Sequence, residues 1–238
     1  MHIGILQTGR APEELRAEHG DYDAMFRRLL DGFGFTFTTW AVLDGELPDD
    51  ITAADGHLIT GSRHGVYEDH PWIPGLEDFL RRAYAARVPL VGICFGHQIL
   101  AQALGGHVEK FQGGWSVGPE TYKSDDGART LIAWHQDQVI RPPEGAETIA
   151  STPFCRHAAL RYGDTALSFQ PHPEFTPAFF RDLLVARGEI LPEATLDTAR
   201  TRIDGPLDVS PHARETAREI AEFFKAGARV TAESAARA

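Results

Sequence analysis

Short apolar runs alternate along the chain with longer segments whose apolar residues recur at helical spacing. Runs short enough to be strands lie at residues 3–7, 33–43, 57–60 and 89–93. Helices are predicted between and beyond these runs, at residues 12–30, 72–87 and 95–104. This order of strands and helices predicts an α/β protein in which a mostly parallel sheet carries helices on both faces.

The second half of the chain has a different pattern, in which turn residues separate several short strand candidates. These candidates lie at residues 116–123, 129–133, 148–151, 158–162 and 166–170. We expect them to add antiparallel strands to the parallel sheet. Helices are predicted at residues 177–187 and 212–224. We predict a main unit at residues 1–190, with residues 191–238 as a helical C-terminal extension of the same domain.

Composition excludes several functional classes. The 238 residues are 42% hydrophobic, which is enough for a core without a disulfide or metal staple. A net charge of −11 repels phosphate backbones, so nucleic-acid binding is not expected. The longest strongly apolar run, residues 88–95, has eight residues, whereas a membrane-spanning helix needs about 20, so no membrane association is expected. With only Cys94 and Cys155, a disulfide framework is excluded and a reducing, cytoplasmic location is predicted.

The most informative segment is Gly92-Ile93-Cys94-Phe95-Gly96, where a buried strand runs directly into a helix. Cys94 lies on the turn, and the glycines two residues before and after it allow the strand and the helix to approach closely. The helix N-terminus offers free N–H groups and a partial positive charge. Because both effects favour the thiolate, Cys94 is predicted to be a nucleophile, and the N–H of Phe95 is predicted to stabilise an oxyanion.

A second match to a nucleophile motif, G-x-S-x-G at residues 114–118, lacks the required context. This motif is functional where a strand precedes it and a helix follows it. Here a Gln-Gly pair precedes the motif and Pro119 follows it, so Ser116 is expected in a loop beside the site. Cys155 lies among strand-like residues and is expected to be inert.

A nucleophile needs a base, and the base needs a third group that orients it. Among the 11 histidines, His172 follows a predicted strand within a Gln-Pro-His-Pro-Glu segment. Residues before proline are extended, and an extended segment places His172 and Glu174 on the same side. We therefore predict His172 as the base and Glu174 as the orienting carboxylate. The alternative is a rigid turn at the strand exit with a solvated histidine and glutamate.

Residues 92–98 and 170–174 together resemble the G-x-C-x-G-x-Q and H-P-E motifs of the class I (triad) glutamine amidotransferases. Over residues 1–188 the chain is similar to stand-alone members that resemble the amidotransferase domain of GMP synthase and the cytosolic γ-glutamyl peptidases of plants. The resemblance implies a doubly wound, flavodoxin-like α/β fold. It also implies that Cys94, His172 and Glu174 form a catalytic triad.

The same resemblance implies residues that bind the substrate. Gly61 matches in position the oxyanion-hole glycine of the family, although Thr-Gly-Ser stands at residues 60–62 where the family usually has Gly-Gly-Pro. Gln98 matches a glutamine near the substrate. His135 and Gln136 lie in a Trp-His-Gln-Asp segment that matches one whose backbone holds the α-amino and α-carboxylate ends of the substrate. His135 is also a rival candidate for the base.

Neither a metal nor an organic cofactor is predicted. His57, His64 and His70 lie seven and six residues apart, which is no known metal-ligand spacing. The H-x-E at residues 172–174 is similar to a zinc deaminase signature, but its P-C-x-x-C partner is absent. The glycine-rich motifs of nucleotide-binding proteins are absent as well.

Three functions remain open. The sequence favours a glutamine amidotransferase-type hydrolase that cleaves the γ-carboxamide of glutamine through a γ-glutamyl thioester. Because no synthetase or ATP motif is recognised in these residues, the ammonia acceptor is expected to be a separate synthetase subunit. A stand-alone γ-glutamyl peptidase or hydrolase that uses water as acceptor is the alternative. A non-enzymatic sensor or scaffold on the same fold is the third possibility.

Overall fold

The apolar runs of the N-terminal half lie side by side as parallel strands of one sheet. The computed structural model describes residues 1–205 and 208–235. Its strands are β1 (His2–Leu6), β2 (Thr36–Trp40), β3 (Gly56–Ile59), β4 (Leu90–Ile93), β5 (His107–Lys110), β6 (Ser116–Ser124), β7 (Gly127–His135), β8 (Asp137–Arg141), β9 (Glu147–Ala150), β10 (Ala159–Tyr162) and β11 (Ala166–Phe169). Its α-helices are α1 (Glu13–His19), α2 (Tyr22–Leu29), α3 (Ile73–Ala85), α4 (Phe95–Ala103), α5 (Pro177–Arg187), α6 (Glu193–Ile203) and α7 (Ser210–Ala235).

Seven strands form the main sheet, in the order β2-β1-β3-β4-β11-β10-β9. The first five of these are parallel, and β10 and β9 are antiparallel to their neighbours. Outside this sheet, β5 pairs with β8, and β6 pairs with β7. The predicted mostly parallel sheet with added antiparallel strands is therefore confirmed.

Successive residues of the central strands point to opposite faces of the sheet, and each face has its own core. In β3, Ile59 and Leu58 belong to different clusters of buried residues, and in β4 Leu90 and Val91 divide in the same way. Helices α3 and α4 cover the face that carries Leu90, and α2 and α7 cover the face that carries Val91. The sheet is thus wound on both faces, as predicted.

The single helix predicted over residues 12–30 is wrong in one respect, because the structure divides it into α1 and α2. Gly20 ends α1 with a φ of 77°, a conformation that glycine adopts without a steric penalty. The Asp21 side chain then accepts a hydrogen bond from the N–H of Tyr22 and caps α2. The helical spacing of apolar residues continues across this break, so the pattern alone did not reveal it.

Sequence reasoning also missed β5 and β8. Val108 is the buried residue of β5, and it pairs with Val139 of β8. Because β5 buries one side chain and β8 buries two consecutive ones, neither strand shows the alternation that identifies strands in a sequence.

The residues after position 190 form two helices that pack against different parts of the chain. Helix α6 contributes Ala199 and Ile203 to a cluster with α5 and the β6–β7 hairpin, whereas α7 contributes Ile220 and Phe224 to a core of the main sheet. The division of the chain at residue 190 stays a prediction, and residues 206–207 and 236–238 lie outside the described residues. Within the described part of the chain, no helix combines the length and the apolar character that crossing a bilayer requires.

We expect replacement of Gly92 by alanine to destabilise the protein. A Cβ at Gly92 would lie 2.3 Å from the carbonyl oxygen of Gly96, so α4 would have to move away from the sheet. Overpacking of this kind costs about 1–3 kcal/mol. Urea denaturation measures the change in the free energy of unfolding.

The matched control is Gly75→Ala in α3. Its Cβ would meet Leu47 at 3.5 Å, an ordinary contact, and alanine is favoured over glycine within a helix by about 1 kcal/mol. We expect this variant to be as stable as the parent protein or more stable. An unchanged free energy of unfolding in Gly92→Ala would contradict the close packing of α4 on β4.

Candidate active site

Cys94 lies on the turn that joins β4 to α4. Its φ of 53° and ψ of −103° are strained for a residue with a side chain. The Cys94 N–H donates to the carbonyl of Phe169 at 2.8 Å, and its own carbonyl accepts from the N–H of Gln98 at 3.1 Å. The strand–turn–helix context predicted from the sequence is present, and these hydrogen bonds hold the turn in its strained conformation.

The two glycines beside Cys94 are required by contacts between backbones. A Cβ at Gly92 would lie within 2.5 Å of the Gly96 carbonyl carbon, and a Cβ at Gly96 would lie 2.4 Å from the carbonyl oxygen of Ile59. Helix α4 therefore touches both β3 and β4 through its backbone. Packing with ordinary side chains at these positions would push the N-terminus of α4 away from Cys94.

His172 and Glu174 form a buried pair just beyond the end of β11. The Nδ1 of His172 lies 2.7 Å from Oε1 of Glu174, and both side chains are buried. The backbone N–H of His172 donates to the carbonyl of Ile132 in β7, and its ring stacks on that of Phe175 with centroids 4.0 Å apart. The solvated turn considered as an alternative is therefore not what the structure has.

The charges around His172 favour its protonated form. Burial by itself lowers the pKa of His172, but the negative charges of Glu174 and Cys94 and their hydrogen bonds with the ring outweigh burial and raise this pKa to about 10. His172 is therefore an imidazolium at neutral pH, and it lies within hydrogen-bonding reach of both Glu174 and Cys94.

Gly61 lies beside both His172 and Cys94. A Cβ at Gly61 would be 3.0 Å from Cε1 of His172 and 3.6 Å from Cβ of Cys94. The loop is fastened by Thr8, whose N–H donates to Oγ1 of Thr60 at 3.0 Å and whose hydroxyl donates to the Thr60 carbonyl at 2.9 Å. The unusual threonine at position 60 therefore holds the loop in place.

The three residues predicted to bind substrate make contacts of their own. The Gln98 side-chain amide donates to the carbonyl of Asp137 at 2.8 Å and to Oε1 of Gln170 at 3.0 Å. Gln136 donates through Nε2 to the Phe111 carbonyl at 3.3 Å. Gln98 thus links α4 to the start of β8. Direct contact with substrate stays a prediction for Gln98, His135 and Gln136.

His135 is poorly suited to be the base. It is buried, and burial lowers the pKa of His135 to about 4, with the positive charge of His172 acting in the same direction. Its Nδ1 lies 3.2 Å from the carbonyl of Asp137. A histidine with so low a pKa is a weak acceptor of a proton at neutral pH, so the geometry and the charges favour His172.

Sequence reasoning missed two aromatic residues and a histidine beside these groups. The ring of Tyr22 in α2 lies 6.1 Å from that of Phe175, and burial together with the negative charges of Glu174 and Cys94 raises the pKa of Tyr22. His97 is buried, its Nδ1 lies 2.8 Å from Oγ of Ser168, and burial lowers its pKa to about 3. Phe175 follows the H-P-E motif directly and could have been found there, whereas Tyr22 has no motif.

Two other sequence predictions can be compared with the structure. The loop expected at Ser116 is wrong, because Ser116 opens the antiparallel strand β6 and pairs with His135 of β7; the helix that the motif would need does not follow it. Cys155 is buried, and burial raises its pKa to about 12. Both features agree with the exclusion of these residues from catalysis.

A cavity of about 510 Å³ is lined by residues of β6, β7, β9, β10 and α7, together with Phe169 and Pro171 next to the His172 segment. Its lining includes Tyr122, Arg129 and Arg161, but none of the residues predicted for the site. The candidate active site is therefore defined by the geometry around Cys94 and not by the volume of a cavity.

Iodoacetamide at neutral pH is expected to alkylate Cys94 at least about 10-fold faster than Cys155. Cys94 lies at the N-terminus of α4 and is hydrogen-bonded to the His172 imidazolium, whereas burial raises the pKa of the Cys155 thiol. Peptide mass spectrometry over a time course measures both rates, and Cys155→Ser is the control that should leave the rate at Cys94 unchanged. Equal, slow labelling of both cysteines would contradict the assignment.

Glu174→Gln is expected to lower the pKa of His172. The substitution removes the carboxylate charge that contributes most to raising this pKa, while the burial that lowers it remains. The imidazolium, which persists to a pH of about 10 in the parent protein, should then lose its proton at a lower pH. NMR titration of the imidazole signals measures the shift.

The control for this titration is Glu109→Gln. Glu109 lies 3.2 Å from the exposed His107, so its replacement removes a carboxylate that pairs with a different histidine. It should leave the titration of His172 unchanged. The same pKa for His172 in the parent protein and in Glu174→Gln would contradict the role of Glu174.

Comparison with known proteins identifies the family. Residues 34–188 match the family model described as glutamine amidotransferase class-I. γ-Glutamyl peptidase 4 of Arabidopsis thaliana is 30% identical over 188 residues, which are 72% of this chain and 75% of that protein. A glutamine-hydrolyzing GMP synthase of Shewanella sediminis is 30% identical over 173 residues, which are 65% of this chain and 32% of that protein.

A solved structure has the same fold. The crystal structure of a glutamine amido transferase from Methylobacillus flagellatus superposes with a TM-score of 0.73 over 96% of this chain and 94% of the other, at 24% identity. This likeness confirms the predicted fold. Since the family model spans more than half of the chain, the protein belongs to the class I glutamine amidotransferase family.

Proposed function

We propose that this protein hydrolyses γ-glutamyl amides, with Cys94 as the nucleophile and water as the final acceptor. The observation that carries the proposal is the assembled arrangement of Gly61, Cys94 and the His172–Glu174 pair within a single chain. A thiolate beside an imidazolium that a carboxylate orients is the arrangement of a cysteine hydrolase. The non-enzymatic alternative would not need this buried and charged arrangement.

In the first half of the proposed reaction, the Cys94 thiolate attacks the γ-carbonyl carbon of the substrate. The backbone N–H groups of Phe95 and Gly61 stabilise the oxyanion, since the first N–H groups of α4 have no partners within the helix. The proton on Nε2 of His172 passes to the leaving amine or ammonia. The products of this half are the free amine and a γ-glutamyl thioester on Cys94.

In the second half, water attacks the thioester. His172, now neutral, takes a proton from the water, and Cys94 leaves as the thiolate. Glu174 accepts a hydrogen bond from Nδ1 of His172, which directs Nε2 towards the reacting atoms and stabilises the imidazolium that forms. No metal or organic cofactor is needed for any of these steps.

We further propose that the segment at residues 134–137 binds the α-amino and α-carboxylate ends of the γ-glutamyl group. Gln98 supports this proposal as a positioning residue, because its amide donates to the Asp137 carbonyl. His135, neutral and buried, and Gln136, tied to Phe111, would shape the same segment.

We favour hydrolysis of the thioester without use of the ammonia over transfer of the ammonia to a partner. The γ-glutamyl peptidase relative is matched over three quarters of its length, whereas the GMP synthase relative is matched over about a third of its length. The second candidate is a glutamine amidotransferase that passes ammonia to a separate synthetase subunit, and the GMP synthase relative supports it. The proposed location is the cytoplasm, supported by two cysteines that are both free.

The test is steady-state release of product from glutathione, a γ-glutamyl anilide and free glutamine by the purified protein. We expect glutathione or the anilide to be turned over faster than glutamine, because a peptidase must admit a large leaving group. Turnover of glutamine that appears only when a partner is added would support the amidotransferase instead. Negligible turnover of all three substrates, with Cys94 readily alkylated, would also contradict the stand-alone hydrolase.

Variants separate the roles of the residues in this assay. Cys94→Ala should abolish turnover without unfolding the protein, and Glu174→Gln should lower kcat by about 10- to 10³-fold, less than the about 10⁴-fold known for a serine protease. Ser116→Ala is the matched control and should stay within a few-fold of the parent protein. Full activity of Glu174→Gln would assign the pair a purely structural role.

A further inference from the structure

The loop between β3 and α3 brings together two histidines and a glutamate that the sequence spacing did not predict to meet. Nδ1 of His64 lies 3.2 Å from Oε2 of Glu68, and Nε2 of His70 lies 2.8 Å from the same oxygen. These three ligand atoms all lie within 4.8 Å of one another. His57, the third histidine of this region, is elsewhere, buried in the core with its Nε2 on the Ile51 carbonyl.

The backbone of the loop explains why the three side chains converge. The N–H of Glu68 donates to the Gly65 carbonyl at 3.1 Å, and the N–H of His70 donates to the Glu68 carbonyl at 3.0 Å. The N–H of Ile73 then donates to the His70 carbonyl at 3.1 Å and leads into α3. Successive turns therefore fold the segment back on itself, so the arrangement is held by the backbone.

Aromatic contacts orient the two imidazoles. The ring of His70 stacks on that of Trp72 with centroids 5.8 Å apart and an angle of 13° between the planes. The ring of His64 meets Trp72 edge-on at 6.1 Å, and the two imidazole centroids are 4.1 Å apart. These ring contacts limit the rotation of both imidazoles and keep them on the same side of Trp72 as Glu68.

We propose that His64, Glu68 and His70 form a binding site for one divalent transition-metal ion of the zinc class. Two imidazole nitrogens and one carboxylate oxygen are a ligand set that Zn²⁺ uses with a fourth position open to water. A tetrahedral zinc ion with bonds of about 2.0–2.1 Å separates its ligand atoms by about 3.3 Å. The two imidazole nitrogens lie 3.2 and 2.8 Å from the Glu68 oxygen and within 4.8 Å of each other, so rotation of these side chains would bring the three atoms to that geometry.

The position of this metal site gives it a mechanical consequence. The N–H of His64 donates to Oγ of Ser62, which follows Gly61, and the ring of Trp72 packs on that of Phe95 at 5.5 Å. A bound ion would therefore cross-link a loop that is tied at one end to Gly61 and at the other to Phe95. The expected consequence is slower opening of the loop, and this inference holds whether or not the proposed hydrolase activity is correct.

The experiment is calorimetric titration of the full chain carrying Cys94→Ala with Zn²⁺, since this substitution removes the Cys94 sulfur as a competing ligand. We expect one Zn²⁺ per chain. Removing an outer neighbour of a metal site typically costs about 10- to 100-fold in affinity, so loss of a ligand in His70→Gln or Glu68→Gln should cost at least about 10-fold. Co²⁺ substitution, read by visible absorption, tests for tetrahedral coordination.

Two controls make the test specific. His107→Gln removes a histidine that pairs with one carboxylate, Glu109, and should leave the affinity unchanged. His19→Gln disrupts the second group of potential ligands in the described residues, formed with Glu18 and Asp182, and should also leave it unchanged. The proposal would be overturned if Zn²⁺ did not bind, if its binding persisted in both His70→Gln and Glu68→Gln, or if its binding were lost in His19→Gln.

Amide hydrogen exchange provides a readout that does not depend on catalysis. Zn²⁺ should slow exchange between Gly61 and Trp72 by at least about 10-fold in the Cys94→Ala protein, and this protection should disappear in His70→Gln. Tight binding of Zn²⁺ with unchanged exchange in this loop would overturn the proposed cross-link.

Discussion

The close approach of α4 to the sheet is the constraint on which the rest of the site depends. Two glycines allow this approach, since a Cβ at Gly92 or Gly96 would overlap backbone atoms of the facing element. Because the strand and the helix are so near, the residue between them must adopt a positive φ, at a cost of about 1–3 kcal/mol. Hydrogen bonds with neighbouring elements offset that strain. The strained turn places the thiol of Cys94 at the N-terminus of a helix.

A second consequence of this packing is electrostatic. Charged groups are costly to bury, and His172 is buried, yet its pKa rises because two anionic groups face it. The stacked ring of Phe175 and the backbone bond to Ile132 keep the imidazole where both charges can act on it. The charge of the buried imidazole therefore depends on the two groups that lie beside it.

Local motifs were predictable from the sequence, and long-range contacts were not. The turn at Cys94 and the pair of His172 and Glu174 each lie within a few consecutive residues, so spacing and backbone preferences suffice to place them. The convergence of His64 with His70 depends on turns whose geometry no periodicity reveals, and the approach of Tyr22 to Phe175 depends on how α2 packs on the finished fold. The fold class was predicted correctly because it follows from the order of strands and helices along the chain. The break between α1 and α2 was missed because it depends on a single residue, Gly20.

The pairing of β4 with β11 has a consequence for the order in which the parts of the candidate site meet during synthesis. Gly92 and Ile93 align with Ser168 and Phe169, so the thiol and its imidazole are brought together by two strands far apart in the chain. A ribosome releases β4 and α4 well before β11, and until β11 inserts beside β4 the cysteine has no imidazolium next to it. In the nascent chain Cys94 therefore has no partner at this position, and its contact with His172 forms only when β11 pairs with β4.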